Sequence, residues 1–401
     1  MFDNSYRWSR RDFIKTAAAG SLGSLFAPAI NAANADEKTS LVPKRPFGNS
    51  GRDVAILSLG TSVSLQGSQL LFRQAVKWGV TYWDTAHSYA GGQSELAIGK
   101  YLAKFPEDRK RLFLVTKSHG WTVADITRDL EESLERMRTD YVDLFFIHAV
   151  SSVTDMSSEK KKWGEKMKAA GKIRLFGFST HSNMEACLLE GSKLGWIDGI
   201  MMTYNYRLMH TDRMRRAVDA CHEAGIGLTA MKTQGGGQVR TDSDAELALS
   251  GRFLKKGYTD AQARLKAVWE NPQIASICSE MPNMSILMAN TAAATDKTEM
   301  TTRDRALFRQ VALETSSDYC AGCRDKCESA AGGEVPIGKV MRYLMYDRSY
   351  GNTHDPAVKL AAIPQKVRRQ LIRADYSAAE TRCPRRLPIA RLMREAAGKW
   401  S

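Results

Sequence analysis

The sequence predicts an α/β chain, a (β/α)8 TIM barrel followed by a small, cysteine-rich, mostly helical C-terminal segment. Three observations carry this. From residue 55 to about 297, short apolar runs alternate steadily with amphipathic stretches. Gly79, Gly171, Gly195 and Gly225 stand where helical stretches give way to those runs, the usual helix-to-strand turn position. Cys320, Cys323, Cys327 and Cys383 gather beyond the last run. A chain of 401 residues can bury one large core plus an appendage.

The strand candidates, in order, are Ala55–Thr61, Thr81–Ala86, Leu112–Lys117, Tyr141–His148, Ile173–Thr180, Asp198–Tyr204, Ile226–Lys232 and Ile274–Met281. Most are short and almost continuously apolar, as strands covered on both faces must be. Between the third and fourth, Ile126, Leu130, Leu134 and Met137 fall at helical spacing and predict a helix over Val123–Met137. Eight such βα repeats favour a closed barrel. A doubly wound open sheet is the alternative, but no glycine-rich phosphate loop follows the first strand. The hairpin-like Phe47-Gly48-Asn49-Ser50-Gly51 precedes the barrel and is placed to plug its lower end. The insert at 233–258 follows the seventh strand and belongs to the upper face. A linking helix near 303–314 leads to the cysteine segment. Beyond the βα alternation no short repeat stands out. The expected organisation is residues 1–35 as a signal, 44–300 as the barrel and 301–401 as the C-terminal segment.

The leading residues predict export. Ser9-Arg10-Arg11-Asp12-Phe13-Ile14-Lys15 is followed by a mildly apolar Ala/Gly-rich stretch and then Ala33-Asn34-Ala35. A charged start, a short apolar middle and an A-x-A end describe a cleavable signal rather than a spanning helix. The paired arginines resemble a twin-arginine signal, which implies the twin-arginine translocation machinery as a partner and a periplasmic location. A disordered basic tail is the alternative. The net charge of +14 could steer an acidic partner or simply aid solubility. The basic residues read as spread rather than striped, and no nucleic-acid module is recognisable, so no nucleic-acid partner is expected.

In a (β/α)8 barrel the reactive groups gather at the C-terminal strand ends. Strand two delivers Asp84 and, on the next loop, Tyr89; strand three ends at Lys117 and strand four at His148. These types suit carbonyl chemistry. A lone phenol is a poor proton donor near neutrality, and an adjacent ammonium brings its pKa closer to the working range. Tyr89 is then the general acid/base, Lys117 its tuner, Asp84 the group that holds Lys117, and His148 the contact to a substrate carbonyl.

Asp84-Thr85-Ala86-His87-Ser88-Tyr89, Ser94-Glu95 and Ile98-Gly99 resemble the aldo-keto reductase signature. Leu112–Lys117, Ser133–Met137 with Asp143, His148 and Gly171-Lys172-Ile173-Arg174 continue the likeness over roughly residues 44–297. The resemblance implies an oxidoreductase with a small carbonyl or alcohol substrate and NADP(H) as cofactor. On the cofactor side the likeness thins. Where the family places a Ser-Asn pair and a Gln, this chain has Ser179-Thr180 and Met201. The aromatic ring that stacks on the nicotinamide is replaced by Met231-Lys232-Thr233. The Pro-Gly and base that greet the phosphate are replaced by Ser279-Glu280 and Asn283, so a carboxylate faces the expected phosphate. Ser179 and Asn290 remain as candidate cofactor contacts.

Cys320, Cys323 and Cys327 supply three thiols within eight residues, and Cys383-Pro384 supplies a fourth. A triplet plus a distant Cys-Pro can hold a [4Fe-4S] cluster, although the spacing is looser than the common ferredoxin run. The arrangement resembles the extension of iron–sulfur members of the superfamily. Structural zinc favours two separated C-x-x-C pairs, and clustered thiols pair awkwardly as disulfides, but both remain alternatives. Cys187, Cys221 and Cys278 read as buried structural thiols. The leading expectation is an exported oxidoreductase whose cluster relays electrons to or from an electron-transfer partner. The alternatives are an NADPH-dependent reductase with a structural cluster, and a non-catalytic redox or binding module on a barrel scaffold.

Overall fold

Every apolar run expected to be a barrel strand is one. The computed structural model describes residues 40–236, 244–350 and 360–400. A short antiparallel pair, β1 (Lys44–Pro46) and β2 (Asp53–Ala55), precedes the barrel. The barrel strands are β3 (Leu57–Gly60), β4 (Tyr82–Asp84), β5 (Phe113–Ser118), β6 (Val142–Ile147), β7 (Ile173–Thr180), β8 (Gly199–Thr203), β9 (Gly227–Met231) and β10 (Ile274–Glu280). They pair in parallel and close in the order β10-β3-β4-β5-β6-β7-β8-β9. The alternative of an open sheet is thereby excluded. Most strands are buried from end to end, which is why their sequences are apolar without alternation.

The helix Val123–Met137 forms as its spacing predicts, with Ile126, Leu130, Leu134 and Met137 buried on the barrel. Thr122 and Asp125 build a capping box at its start, and Arg138 ends it in the left-handed region. Its neighbour Gln93–Lys104 approaches closely because Gly99 has no side chain. A Cβ there would stand 1.9 Å from the Arg136 carbonyl oxygen. That explains one glycine of the signature by packing alone.

The hairpin ahead of the barrel does plug its lower end. Phe47 is fully buried and meets Phe113 with ring centroids 5.3 Å apart. β8 and β9 each begin with glycine because this ring fills the space; Cβ atoms on Gly199 and Gly227 would lie 2.8 and 2.4 Å from it. Also at this end, Asp143 is buried and accepts hydrogen bonds from Arg109 at 2.9 Å and the Leu114 amide at 3.0 Å. The more exposed Arg52 and Arg174 add pairs at 3.1 and 3.3 Å. Removing Asp143 would leave the largely buried Arg109 without its anion. We expect Asp143→Ala to lose about 3–5 kcal/mol of stability in urea unfolding. A loss below about 1 kcal/mol would show that Arg109 finds other partners.

After the linking helix Thr302–Glu314, the C-terminal segment is helical, as expected, with its own small core that includes Val340, Leu371, Tyr376 and Met393. It contains an approximate repeat, of which the sequence shows the short pattern shared by Val335-Pro336-Ile337 and Leu387-Pro388-Ile389. The helices Arg324–Ala330 and Ser377–Arg382 pack together, as do Ile337–Tyr350 and Ile389–Trp400. Val335-Pro336-Ile337 and Leu387-Pro388-Ile389 enter the second helix of each half. In each half a glutamate ten residues ahead accepts from an amide of that helix's first turn. Glu328 takes the Gly338 amide at 3.0 Å and Glu380 the Ala390 amide at 2.8 Å.

Among the described residues no helix is long and apolar enough to cross a membrane. The export signal expected at 1–35 and part of the 233–258 insert lie outside the described residues.

Candidate functional site

The upper strand ends bring Asp84, Tyr89, Lys117 and His148 together. Lys117 is fully buried and donates to Asp84 Oδ2 at 2.7 Å and to the Thr85 carbonyl at 2.7 Å. Its ammonium stands 4.9 Å from the centre of the Tyr89 ring. That ring meets His148 edge-on at 5.7 Å. Tyr89 itself follows β4 on a tight left-handed turn, with φ of 49° at Ala90 and 61° at Gly91. For Ala90 this is a strained backbone, held by its surroundings.

Those surroundings account for the rest of the signature. Ser94 is buried and bonds Thr61 at 2.7 Å and Thr85 at 2.6 Å, tying the Tyr89 loop to two strands. Glu95 is fully buried, accepts from Thr116 at 2.7 Å and pairs with Arg136 at 3.2 Å. Arg136 also donates to the His87 carbonyl at 3.1 Å. The signature is thus one catalytic-type tetrad plus the polar struts that hold its loop.

Electrostatics correct one expectation. Lys117 does pull the Tyr89 phenol downward, but burial outweighs it and pushes the group up to about 12. Tyr89 is therefore a neutral phenol in the free protein, a proton donor rather than a phenolate. Burial alone would lower Lys117, yet Asp84 and Tyr89 more than compensate, and the ammonium is held above its usual range. Burial, with Lys117 and His119 adding to it, holds His148 well below the ordinary imidazole range. It faces a ligand uncharged. Buried polar atoms at this mouth lack partners among the described residues, namely Asp84 Oδ1, His148 Nδ1 and His181 Nδ1. These are the valences a bound carbonyl compound or water would meet.

Three residues here were missed or misread. His119 stacks on His148 with centroids 4.1 Å apart. His181 lies just past β7, and burial, then Arg342, hold it neutral as well. Each lies within two residues of a strand's C-terminal end, which was the available signal. Cys278 is not simply a core thiol like Cys187 and Cys221; it is half-buried on β10 and donates to Asp84 Oδ2 at 3.5 Å.

The two candidate cofactor contacts are already engaged. Ser179 Oγ accepts from the Ala149 amide at 3.0 Å, and Asn290 donates to Ser279 at 3.0 Å. Ser62 donates to the Glu280 carboxylate, and Asn283 caps the helix Met284–Thr295 through the Ile286 amide at 3.0 Å.

The four C-terminal cysteines line one pocket, with Ile337, Leu387 and Ile389 among its apolar walls. None is in a disulfide. Among the described residues, no three His, Cys, Asp or Glu side chains converge at the spacing of a single bound ion. Burial, and then the neighbouring thiols, push Cys323 and Cys327 up to about 12. Thiolates would persist there only beside a compensating cationic centre.

This pocket sits against the barrel mouth. Gly322, between two of the cysteines, has φ of 76°, and a Cβ on it would lie 2.7 Å from the His181 carbonyl oxygen. The Asn183 amide donates to the Gly322 carbonyl at 2.8 Å, and Arg342 donates to the His181 carbonyl and to Ser182. Further along, Arg385 donates to the Arg207 carbonyl at 2.6 Å and Asn205 to the Tyr319 hydroxyl at 3.0 Å. The cysteine segment is thus built onto the loops that follow β7 and β8.

Residues 56–284 match a family described as the aldo/keto reductase family. An aldo-keto reductase of Fusarium vanettenii is 25% identical over 39% of this chain, a match that spans only 52% of that protein. L-galactose dehydrogenase of Arabidopsis thaliana is 23% identical over 63% of this chain and 88% of its own length. Among solved structures, an aldo-keto reductase from Klebsiella pneumoniae in complex with NADPH superposes with a TM-score of 0.56 at 24% identity. It covers 68% of this chain and 95% of that one, and the likeness is one of fold.

Proposed function

The chain belongs to the aldo/keto reductase family and is an oxidoreductase, and from that premise we propose that it interconverts a carbonyl and an alcohol with electrons relayed by a [4Fe-4S] cluster in the C-terminal pocket. The observation that carries the first half is the buried Lys117–Asp84 pair beside Tyr89 and His148 at the barrel mouth. In the reducing direction a carbonyl takes up two electrons and two protons. Tyr89 hydroxyl gives one proton to the carbonyl oxygen and regains it from solvent, and solvent supplies the second proton, which goes to the carbonyl carbon. Lys117 keeps its charge, steadies the developing phenolate and is itself held by Asp84. Neutral His148 orients the oxygen by a hydrogen bond.

The cysteine pocket supports the second half. Four thiols lining one pocket, none of them in a disulfide, offer the ligand set of a polynuclear centre. When bound, such a centre supplies single electrons. Cys320, Cys323, Cys327 and Cys383 would hold it, and the Gly322 contact would bring it against His181 at the barrel mouth. The family's ordinary NADP(H) chemistry, with the cluster structural, is the second reading. It is favoured by the NADPH complex of the Klebsiella relative. Against it stand the Arg342 and Gly322 contacts to the loop after β7 and the carboxylate of Glu280. We further propose that Arg10-Arg11 directs export by the twin-arginine route to the periplasm, where a soluble nicotinamide pool is not expected.

The test is chemical. Anaerobically prepared protein should contain iron and acid-labile sulfide and absorb in the visible, and carbonyl compounds should reoxidise it after reduction. Tight NADPH binding by fluorescence, with no reoxidation by a broad carbonyl panel, would replace this reading by the second.

A further inference from the structure

Positive charge is not spread over this chain as the composition suggested. Residues 360–400 hold ten Lys and Arg against three Asp and Glu, half of the net +14 of the whole protein. The stretch contains Cys383, and one of its bases, Arg385, lines the thiol pocket. Lys326 lines that pocket as well. Arg391 lines an adjoining pocket that shares Cys320 with it. Arg382 and Arg386, exposed, flank Cys383-Pro384-Arg385 in sequence. Among the described residues neither Arg382 nor Arg386 has an acidic partner. Arg391 has only a 4.0 Å pair with Glu395; cations compensated this little cost stability through mutual repulsion, so the patch needs a reason beyond the fold.

The chemistry of the patch narrows its partner. Single-stranded nucleic acid is held by arginines interleaved with aromatic platforms, and the aromatic residues of 360–400 are the buried Tyr376 and the last residue, Trp400, which does not interleave with the arginines. A membrane-surface helix needs an apolar face to insert. In Ile389–Trp400 the apolar residues Leu392, Met393 and Ala396 are already buried in the segment. What remains is a polar, cationic rim around a redox-capable opening. Transient electron-transfer encounters use small, charge-steered and salt-sensitive interfaces of this kind.

We propose that the rim formed by Lys326, Arg382, Arg385, Arg386 and Arg391 is the docking face for an acidic electron-carrier protein. The proposal rests on the cluster reading above. Each encounter passes one electron between the carrier and the centre, one oxidised as the other is reduced, so two encounters serve one carbonyl–alcohol conversion.

The test uses the full chain with its iron content determined, flavodoxin as an acidic carrier and a basic cytochrome c as the control. Binding is read by biolayer interferometry, and electron exchange by stopped flow, across salt. Flavodoxin should bind at low salt and weaken about tenfold or more as screening increases, while cytochrome c does not bind. Arg386→Glu with Arg391→Glu should slow flavodoxin's second-order exchange about tenfold at low salt and flatten its salt dependence. The same variant should keep its visible spectrum and its rate with a small uncharged mediator. Equal binding of both carriers, binding to anionic phosphatidylglycerol vesicles without flavodoxin binding, or an unchanged rate in the variant would overturn the proposal. Salt-dependent flavodoxin binding by protein that carries no iron would instead retain the docking face and sink the cluster.

Discussion

Tyr89→Phe is expected to lower turnover of a carbonyl substrate by about 10²–10⁴-fold while leaving the fold and KM nearly unchanged. The substitution removes one hydroxyl and keeps the ring. The edge contact to His148 and the approach of the Lys117 ammonium both survive. What is lost is the hydroxyl, a proton donor on a ring that neighbours both an ammonium and an imidazole at this mouth. The pH profile follows from the same residue with a definite sign. Burial pushes Tyr89 up to about 12, so its acid form, present below that value, persists through neutrality. Reduction by the wild type should therefore be flat from about pH 6 to about pH 9. His148 adds no limb in that window, since its pKa is held well below the usual imidazole value. Unchanged kcat in the phenylalanine variant would remove the catalytic reading and leave the barrel as a scaffold.

The second large effect concerns the thiols. Cys327→Ala should reduce bound iron roughly tenfold or more and bleach the visible spectrum. It should also loosen the small C-terminal core, because Cys327 is buried within it. Cys221→Ala, which alters a thiol buried in the barrel wall and bonded to the Leu188 carbonyl at 3.4 Å, should leave the colour intact. Equal iron in both variants would exclude the four-cysteine pocket as the binding site. Zinc in place of iron would retain the ligands and discard electron relay.

The barrel was legible because its burial is simple. Strands covered on both faces carry continuous apolar runs, and each of the eight stretches read that way contains an observed strand. The tetrad was legible because position at a strand's C-terminal end predicts convergence, which holds for Asp84, Lys117 and His148. The protonation balance at Tyr89 was not. Sequence gives the presence of an ammonium, but the opposing desolvation depends on how much protein surrounds the phenol. Cys278 was misread for a related reason, since its neighbour Asp84 is adjacent only once β10 closes against β3. The C-terminal repeat was legible only in its shared proline pattern; the capping glutamates, each ten residues from the amide it takes, showed only in the fold. The C-terminal excess of charge is visible in the sequence, but that Arg385 and Lys326 line the same pocket as the thiols is not.

The thiol pocket draws on Cys320, Cys323 and Cys327 from one half of that repeat and Cys383 from the other, all after β10 in the chain. During synthesis the barrel is therefore complete before the last sulfur emerges, and its mouth can serve as the platform on which the ligand set is finished. Slow or faulty barrel closure would starve the pocket of that platform, so substitutions far below it, at Asp143 for instance, should yield paler protein as well as less stable protein.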